Sequence, residues 1–293
     1  MIEAIIIDGL VTGAVFALLA VGFTLIYGVA GVTNLAHGSF FMLGAYMFSV
    51  FGPHGFLKLE AIQALILATI FVAIIASIFY RLSINPIIDD AVAVLVVTVS
   101  VAVIFQQIVL LVFGPGFFVV PPFTSGSTAI LGLMTPNSRL VSAVISMALF
   151  ISLWIFISRT KIGAAMRAVS QDREVAMLMG INTERLYMLT MAISAALAGI
   201  AGIFIASSTT GVAAASMWLS PLAMSFAIVI LGGLGSIKGT LIGAFIIGYA
   251  ESAVANLVPE GGAIVSVVPF LIMVLILVIR PKGLFGKRIE MEE

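Results

Sequence analysis

Very few side chains in this protein are equipped for chemistry. There are two histidines, His37 and His54, and no cysteine, so neither a disulfide framework nor a thiolate metal site can form. The chain has no H-E-x-x-H pattern, no Gly-x-Ser-x-Gly elbow, and no apolar run with paired carboxylates. The usual starting points for hydrolysis and acid–base catalysis are therefore missing. The string Gly232-Gly233-Leu234-Gly235-Ser236-Ile237-Lys238-Gly239-Thr240 has the glycines of a phosphate loop but not its order. Such a loop needs Gly-Lys-Ser/Thr after a strand, whereas here Lys precedes Gly between two apolar runs. A helix break at a membrane interface explains the string better. If ATP drives this protein, it is hydrolysed on another chain.

The elements that must position the remaining polar residues are membrane helices. Of 293 residues, 62% are hydrophobic and 9% charged, against roughly a quarter charged in soluble domains. Thirteen basic and thirteen acidic residues cannot cover a soluble surface, and a net charge of zero gives no reason to expect nucleic acid. Crossing ~30 Å of hydrocarbon takes about 20 apolar residues at 1.5 Å each. Runs 9–30, 61–80, 91–113, 140–158, 186–208 and 261–279 meet that length without a charge. Further spans are expected around 222–234 and over 239–256. Residues 38–51 form an apolar piece too short to span alone, either a half-helix or a re-entrant segment. The reading is one all-α polytopic domain over 1–293, with about eight spans and one short broken helix. Glu3 and Asp8 precede any basic residue, so the first run reads as a retained span and not a cleaved signal.

Lys and Arg set the orientation. Arg159, Lys161, Arg167, Arg173 and Arg185 crowd a loop at 159–185, and Arg280, Lys282, Lys287 and Arg288 a tail at 280–293. Residues 114–137 and 209–220 carry no charge. The positive-inside rule places the first pair in the cytoplasm and the second outside, with Arg81 and Lys238 also inside. The N-terminus is outside if 38–51 crosses and inside if it only re-enters.

The stretch 163–187 is long for a connection between bundle helices. Ala168, Val175, Ala176 and Met179 fall at helical spacing, Arg167, Gln171, Asp172 and Glu174 lie elsewhere around the helix, and Gly180 is placed to cap it. A short amphipathic helix over 164–181 would either lie on the membrane or dock in a groove of a partner.

Three blocks resemble a known family. Glu174-Val175-Ala176-x-x-x-Gly180 has the spacing of the E-A-A-x-x-x-G coupling motif of ABC transporter permeases. Its surroundings, Arg167-Ala168, Asp172 and Gly180-Ile181-Asn182, look like the branched-chain amino acid permease version. Asn34-Leu35-Ala36-His37-Gly38 resembles that family's N-F-A-H-G, and the segment 227–251 resembles its A-V-L-G-G-x-G-S-x-x-G-A-x-x-G block. The chain looks like the shorter of the family's two permease subunits. It departs in having Val175 at the second motif position and in lacking the downstream Leu-Pro.

The resemblance implies a permease of an ATP-driven importer in the cytoplasmic membrane. Its partners would be a second, related permease, two cytoplasmic ATPase subunits that use ATP and Mg, and an extracytoplasmic substrate-binding protein. The chain itself would carry no cofactor, no metal and no catalytic residue. Its cargo would be branched-chain or other amino acids, or urea and similar small solutes. Under this reading Arg167, Ala168, Asp172, Glu174, Ala176 and Gly180 would couple to the ATPase, with Ala176, Met177 and Met179 supplying contact area. The competing class is a stand-alone secondary transporter or channel, which needs ion-coupling groups deep in the bundle.

Irregular backbone at membrane depth is tolerated only where it faces protein or water. The translocation path is therefore expected beside two breaks, at Asn34, His37 and Gly38 and at Gly232, Gly233, Gly235 and Gly239. For Asn34 and His37 themselves, capping of a helix near the cytoplasmic face is preferred over substrate contact. Of the intramembrane polar residues, Gln106 or Gln107 should bond between helices. Glu251 lies ~20 Å along its helix from Lys238, near the outer leaflet, and is expected to pair at a subunit interface or snorkel. The small residues Ser194, Ala198 and Gly202, with Ala195 and Gly199, form a close-packing stripe, either within the chain or against the second permease. The charge asymmetry predicts that single cysteines at Ser170 and Ser127 react with impermeant reagents from opposite sides of the membrane. Labelling of both from outside would refute the orientation.

Overall fold

The computed structural model describes residues 1–130, 132–258, 262, 264–280 and 283–286; Lys282, Lys287 and Arg288 of the basic tail lie outside them. The helices are α1 (Ile2–Ala30), α2 (His37–Phe51), α3 (Ala61–Phe79), α4 (Ala91–Phe113), α5 (Asn137–Arg159), α6 (Lys161–Val169), α7 (Arg173–Leu178), α8 (Thr183–Ile205), α9 (Leu219–Gly232), α10 (Ile237–Leu257) and α11 (Val268–Ile279). Two short antiparallel ribbons complete the described chain: β1 (Phe118–Val119) with β4 (Val212–Ala213), and β2 (Ser127–Ile130) with β3 (Leu133–Pro136).

Polar residues at the ends of the apolar runs start several of these helices. Asp90 accepts from the amides of Val92 and Ala93, both at 3.0 Å, and so caps α4. Ser236 accepts from Gly239 N and caps α10. Glu60 and Gln63 close a capping box on α3. Each satisfies amide groups that a helix start leaves without an intrahelical partner.

Among the described residues, six helices are long and apolar enough to cross a membrane: α1, α3 with its extension to Ile87, α4, α5, α8 with its extension to Ser208, and α10. The spans expected around 222–234 and over 261–279 are short helices, α9 with 14 residues and α11 with 12. Burial ranks the six. About two thirds of α1 and α8 is enclosed by protein (61% and 67%), but only 28% of α3 and 22% of α4. The core is therefore α1 and α8, with α3 and α4 as outer staves. Along α3, the buried residues Ala64, Ala68, Val72 and Ala76 recur every four, whereas Ile62, Ile66, Ile70 and Ile74 point outward. This is the one-sided burial of a helix whose other face meets lipid.

The contacts fix the direction of each helix. In α1 and α10, Gly9 faces Tyr249, Gly13 faces Phe245 and Gly28 faces Gly235, so the two run antiparallel. Ser252 Oγ donates to Ile5 O at one end, and Thr24 Oγ donates to Thr240 Oγ at 2.6 Å towards the other. The start of α1 thus lies at the end of the bundle opposite Gly235, Arg167 and Ser170, which line one cavity. With the basic loop in the cytoplasm, as its charge predicts, the N-terminus would be outside.

That requires 31–51 to cross. After α1 ends at Gly31 (φ 66°), residues 31–36 run back along the bundle without helical structure. The helix α2 then begins beside the middle of α1, where His37 Nε2 donates to Leu19 O at 3.0 Å. Leu19 is ~16 Å along α1 from Ala30, at 1.5 Å per residue. From there α2 climbs to the outer ribbon, where Ser49 Oγ donates to Val119 O at 3.0 Å. The placement of Asn34 and His37 near the cytoplasmic face is thereby corrected: both sit at membrane depth and are fully buried.

The small-residue stripe of α8 packs within the chain. A β-carbon on Gly202 would overlap the Phe41 carbonyl, and one on Gly44 would overlap the Gly199 backbone, so α2 and α8 meet backbone to backbone. Gly199 itself has room, its nearest neighbour being Val72 Cγ1 at 3.4 Å. Gly202→Ala should lower the thermal midpoint of the purified protein clearly, at a cost of about 1–3 kcal/mol, and Gly199→Ala much less. Equal effects would refute this packing.

Candidate coupling loop and membrane-depth breaks

Between α5 and α8 the chain forms two short helices in place of the single one expected over 164–181. Thr160 caps α6, accepting from Gly163 N at 3.0 Å while donating to Phe156 O at 2.7 Å. Asp172 caps α7 through Val175 N at 2.9 Å, and Asn182 caps α8 through Arg185 N at 2.9 Å. Because Asp172 recruits the Val175 amide, the backbone restarts there and the helix breaks at Ser170–Asp172. Gly180 ends α7 with φ 85°. Its amide donates to Met177 O at 3.0 Å, and that of Ile181 donates to Ala176 O at 3.1 Å. This is a helix ending in which only glycine avoids strain.

The loop's apolar residues divide by face. Ala176 is buried against the permease, so it cannot supply outward contact as expected, and Ala168 is half-buried. Outward lie Val175, Met177, Leu178 and Met179, with Leu178 86% and Met179 79% exposed. Leu178, which the sequence reading did not single out, is the most exposed of them.

The charges divide as well. Arg167 donates to Ile157 O, tying α6 to the end of α5, and Asp172 is occupied as a cap. Glu174 is exposed and has no hydrogen-bond or ion-pair partner among the described residues. Arg173, read from the sequence only as one of the loop's basic residues, pairs with Asp89 in the α3–α4 connection and lies over the Tyr187 ring at 5.8 Å. The loop is thus clamped to the body from three sides while presenting a bare apolar tip. Exposed apolar surface of that kind is what proteins use to meet other proteins or membranes.

Of the two expected breaks, only the one at 31–38 lies at membrane depth. Asn34 Oδ1 accepts from Ala36 N at 3.0 Å, Asn34 O accepts from His37 N, and Ser39 Oγ donates to Ala36 O at 2.7 Å. With Nε2 of His37 donating, Nδ1 is left to accept from Ser194 Oγ at 3.4 Å. Gly38 has no space for a side chain because the Trp218 carbonyl lies against it.

The glycines 232–239 instead form a tight turn at the cytoplasmic end. Gly232 and Gly239 touch backbone to backbone, and the amides of Leu284 and Phe285 donate to Leu231 O and Gly232 O. The second break at membrane depth is at 211–218, which the sequence placed in an outer loop. There Trp218 Nε1 donates to Gln106 Oε1 at 2.6 Å, in the interior of α4. That bond identifies Gln106 as the one of the glutamine pair that bonds between helices. The half-helices α2 and α9 start side by side, since Gly38 of one meets Trp218 and Leu222 of the other. Trp218 and the outer dip went unread because an uncharged stretch between two apolar runs has the same composition whether it loops over the membrane or enters it.

A bundle of membrane helices with two half-helices meeting at mid-depth and a clamped cytoplasmic loop defines a polytopic transport permease. Comparison with known proteins narrows the class: the family model of the branched-chain amino acid transport system permease component matches residues 5–277. The chain belongs to that family and is a multi-pass membrane protein, not itself an enzyme. It is 28% identical to the high-affinity branched-chain amino acid transport system permease protein BraD of Pseudomonas aeruginosa, over 96% of this chain and 95% of that protein. It is 29% identical to LivH of Escherichia coli, a permease protein of the same kind of system, over 96% and 94%. The solved structure of PsaBC from Streptococcus pneumoniae in complex with Fab shares the fold, with a TM-score of 0.52 and 16% identity over 94% of this chain and 91% of that one.

Nothing lies within 4 Å of where a β-carbon on Gly180 would sit, so the first cost of a side chain there is the backbone strain at φ 85°. Gly180→Leu should cost on the order of 1–2 kcal/mol locally and tilt the tip of α7 while leaving the spans intact. In the reconstituted complex, substrate-stimulated ATP hydrolysis and uptake should both fall at unchanged membrane insertion, with Gly180→Asn milder. Unchanged rates would remove the coupling role from α7.

Proposed function

We propose that this chain is one of two membrane subunits of an ATP-driven importer of branched-chain amino acids. The carrying observation is the α7 tip: Val175, Leu178 and Met179 stand exposed just before Gly180, on a loop held by Arg167, Arg173 and three helix caps. Two cytoplasmic ATPase subunits, using ATP and Mg, would each offer a groove for such a tip. Exposed Glu174 would set register by charge, and movement of the groove would pass into the bundle through α6 and α8. A second, related permease would complete the pathway, and an extracytoplasmic binding protein would deliver the substrate.

Family membership and the printed names of BraD and LivH support the branched-chain amino acid as cargo. The residues around the breaks, Asn34, His37, Gly38 and Trp218, would shape the pathway wall, with Gly232, Gly233, Gly235 and Gly239 forming the cytoplasmic hinge below it.

Proteoliposomes holding the whole complex and internal ATP should accumulate L-leucine from its binding protein, and omission of either ATP or the ATPases should abolish uptake. Accumulation by this chain alone, driven by an ion gradient without ATP, would make it a secondary transporter.

A further inference from the structure

At the outer end of the bundle, α1, α5, α8 and α10 enclose a cavity of about 310 Å³. That lies within the size range of small-molecule sites, roughly 300–1,000 Å³. Three of its groups are charged. Arg139 pairs with Asp8 through Nη1 at 2.8 Å, and the Nε of the same guanidinium is buried with no acceptor among the described residues. Glu251, also on the wall, is only 7% exposed and has no hydrogen bond or ion pair with any described residue. It therefore does not snorkel, contrary to one of the two roles expected for it. The rest of the wall mixes Thr12, Ser252 and Asn256 with the apolar Val11, Val15 and Phe16.

Such an arrangement is costly in an empty site. The Arg139 Nε–H, walled off without an acceptor among the described residues, loses solvation that nothing there replaces, while the Glu251 carboxyl lines the cavity without a partner among them. Arg139 also lies in the first turn of α5, where the helix dipole disfavours a cation. Asp8 offsets that in part. A ligand with an ammonium for Glu251, a carboxylate for the Arg139 guanidinium and an apolar side chain for Val11, Val15 and Phe16 would match the chemistry of the wall.

We infer that this cavity is a binding subsite for a zwitterionic, apolar amino acid, with Glu251 receiving the ammonium and Arg139 the carboxylate. The subsite lies on the side from which an importer's substrate arrives. The inference rests on the importer reading and deepens it by naming contacts.

The chain has no native cysteine, so Ala255→Cys on the exposed rim of the cavity provides a single reporter thiol. Its reaction with an impermeant maleimide is followed in the reconstituted complex. L-leucine should protect the thiol. The acid 4-methylpentanoate, which lacks the ammonium, and isopentylamine, which lacks the carboxylate, should need roughly ten- to hundredfold higher concentrations. Glu251→Gln, close in shape, should weaken leucine protection by a similar factor and erase the preference for leucine over the acid. Arg139→Gln should erase the preference over the amine.

Equal protection by leucine and the acid in the parent complex would overturn the inference, as would an unchanged leucine curve in Glu251→Gln. If Glu251→Gln instead releases the second permease on gel filtration, Glu251 is an interface residue and the inference fails. If the parent complex accumulates no leucine at all, the importer reading itself fails, which the uptake measurement shows separately.

Discussion

Backbone amides and carbonyls inside a bilayer have no water to bond, and each one left open costs several kcal/mol. The rest of this structure depends on how that constraint is met at two places where the chain stops being helical at membrane depth. At 31–38, Asn34, Ser39 and His37 carry the backbone between α1 and α2, and His37 bridges to Leu19 and Ser194 on the two most enclosed helices. At 211–218 the β1–β4 ribbon, the Tyr46 hydroxyl on Ala213 O and the Trp218–Gln106 bond do the same from the outer side. These bonds need α1, α2 and α8 in close contact. Glycines at 22, 38, 44 and 202 permit that approach, because a β-carbon at each would strike a neighbouring backbone.

The same logic divides the charged residues. Those with partners hold the fold: Arg139 with Asp8 fastens α5 to α1, and Arg173 with Asp89 fastens α7 to the α3–α4 connection. Both pairs are partly exposed to solvent, so each contributes modestly by itself. Their value is positional, because each fixes a loop end against the bundle. Two of the charged groups left open among the described residues, Glu174 at the α7 tip and Glu251 in the outer cavity, stand at the two ends of the molecule.

Much of this was legible in the sequence. Five of the six charge-free runs of spanning length coincide with long helices because hydrophobic length is a one-dimensional property, and α4 matches its run residue for residue. Gly180 was readable for the same reason, since capping is local. Depth was not readable. Asn34-Leu35-Ala36-His37-Gly38 has the composition of an interfacial cap, and only the contact with Leu19 places it mid-membrane. The Asp8–Arg139 pair spans 131 positions, so neither residue signals the other, though a lone Arg starting a span on the outer side departs from the basic-inside pattern and could have been noticed. Ala176 was assigned outward because helical spacing gives a periodicity without saying which face meets the body.

The central claim is that the chain breaks at membrane depth are sealed by protein. Hydrogen exchange on the full chain in lipid nanodiscs tests it directly. Peptides covering 32–38 and 213–219 should exchange as slowly as the interior of α1, although both are largely non-helical, while 121–126 at the outer surface exchanges fast. If 32–38 and 213–219 exchanged as fast as 121–126, those segments would be ordinary solvent-exposed loops, and the placement of α2 and α9 as half-helices meeting inside the membrane would be wrong.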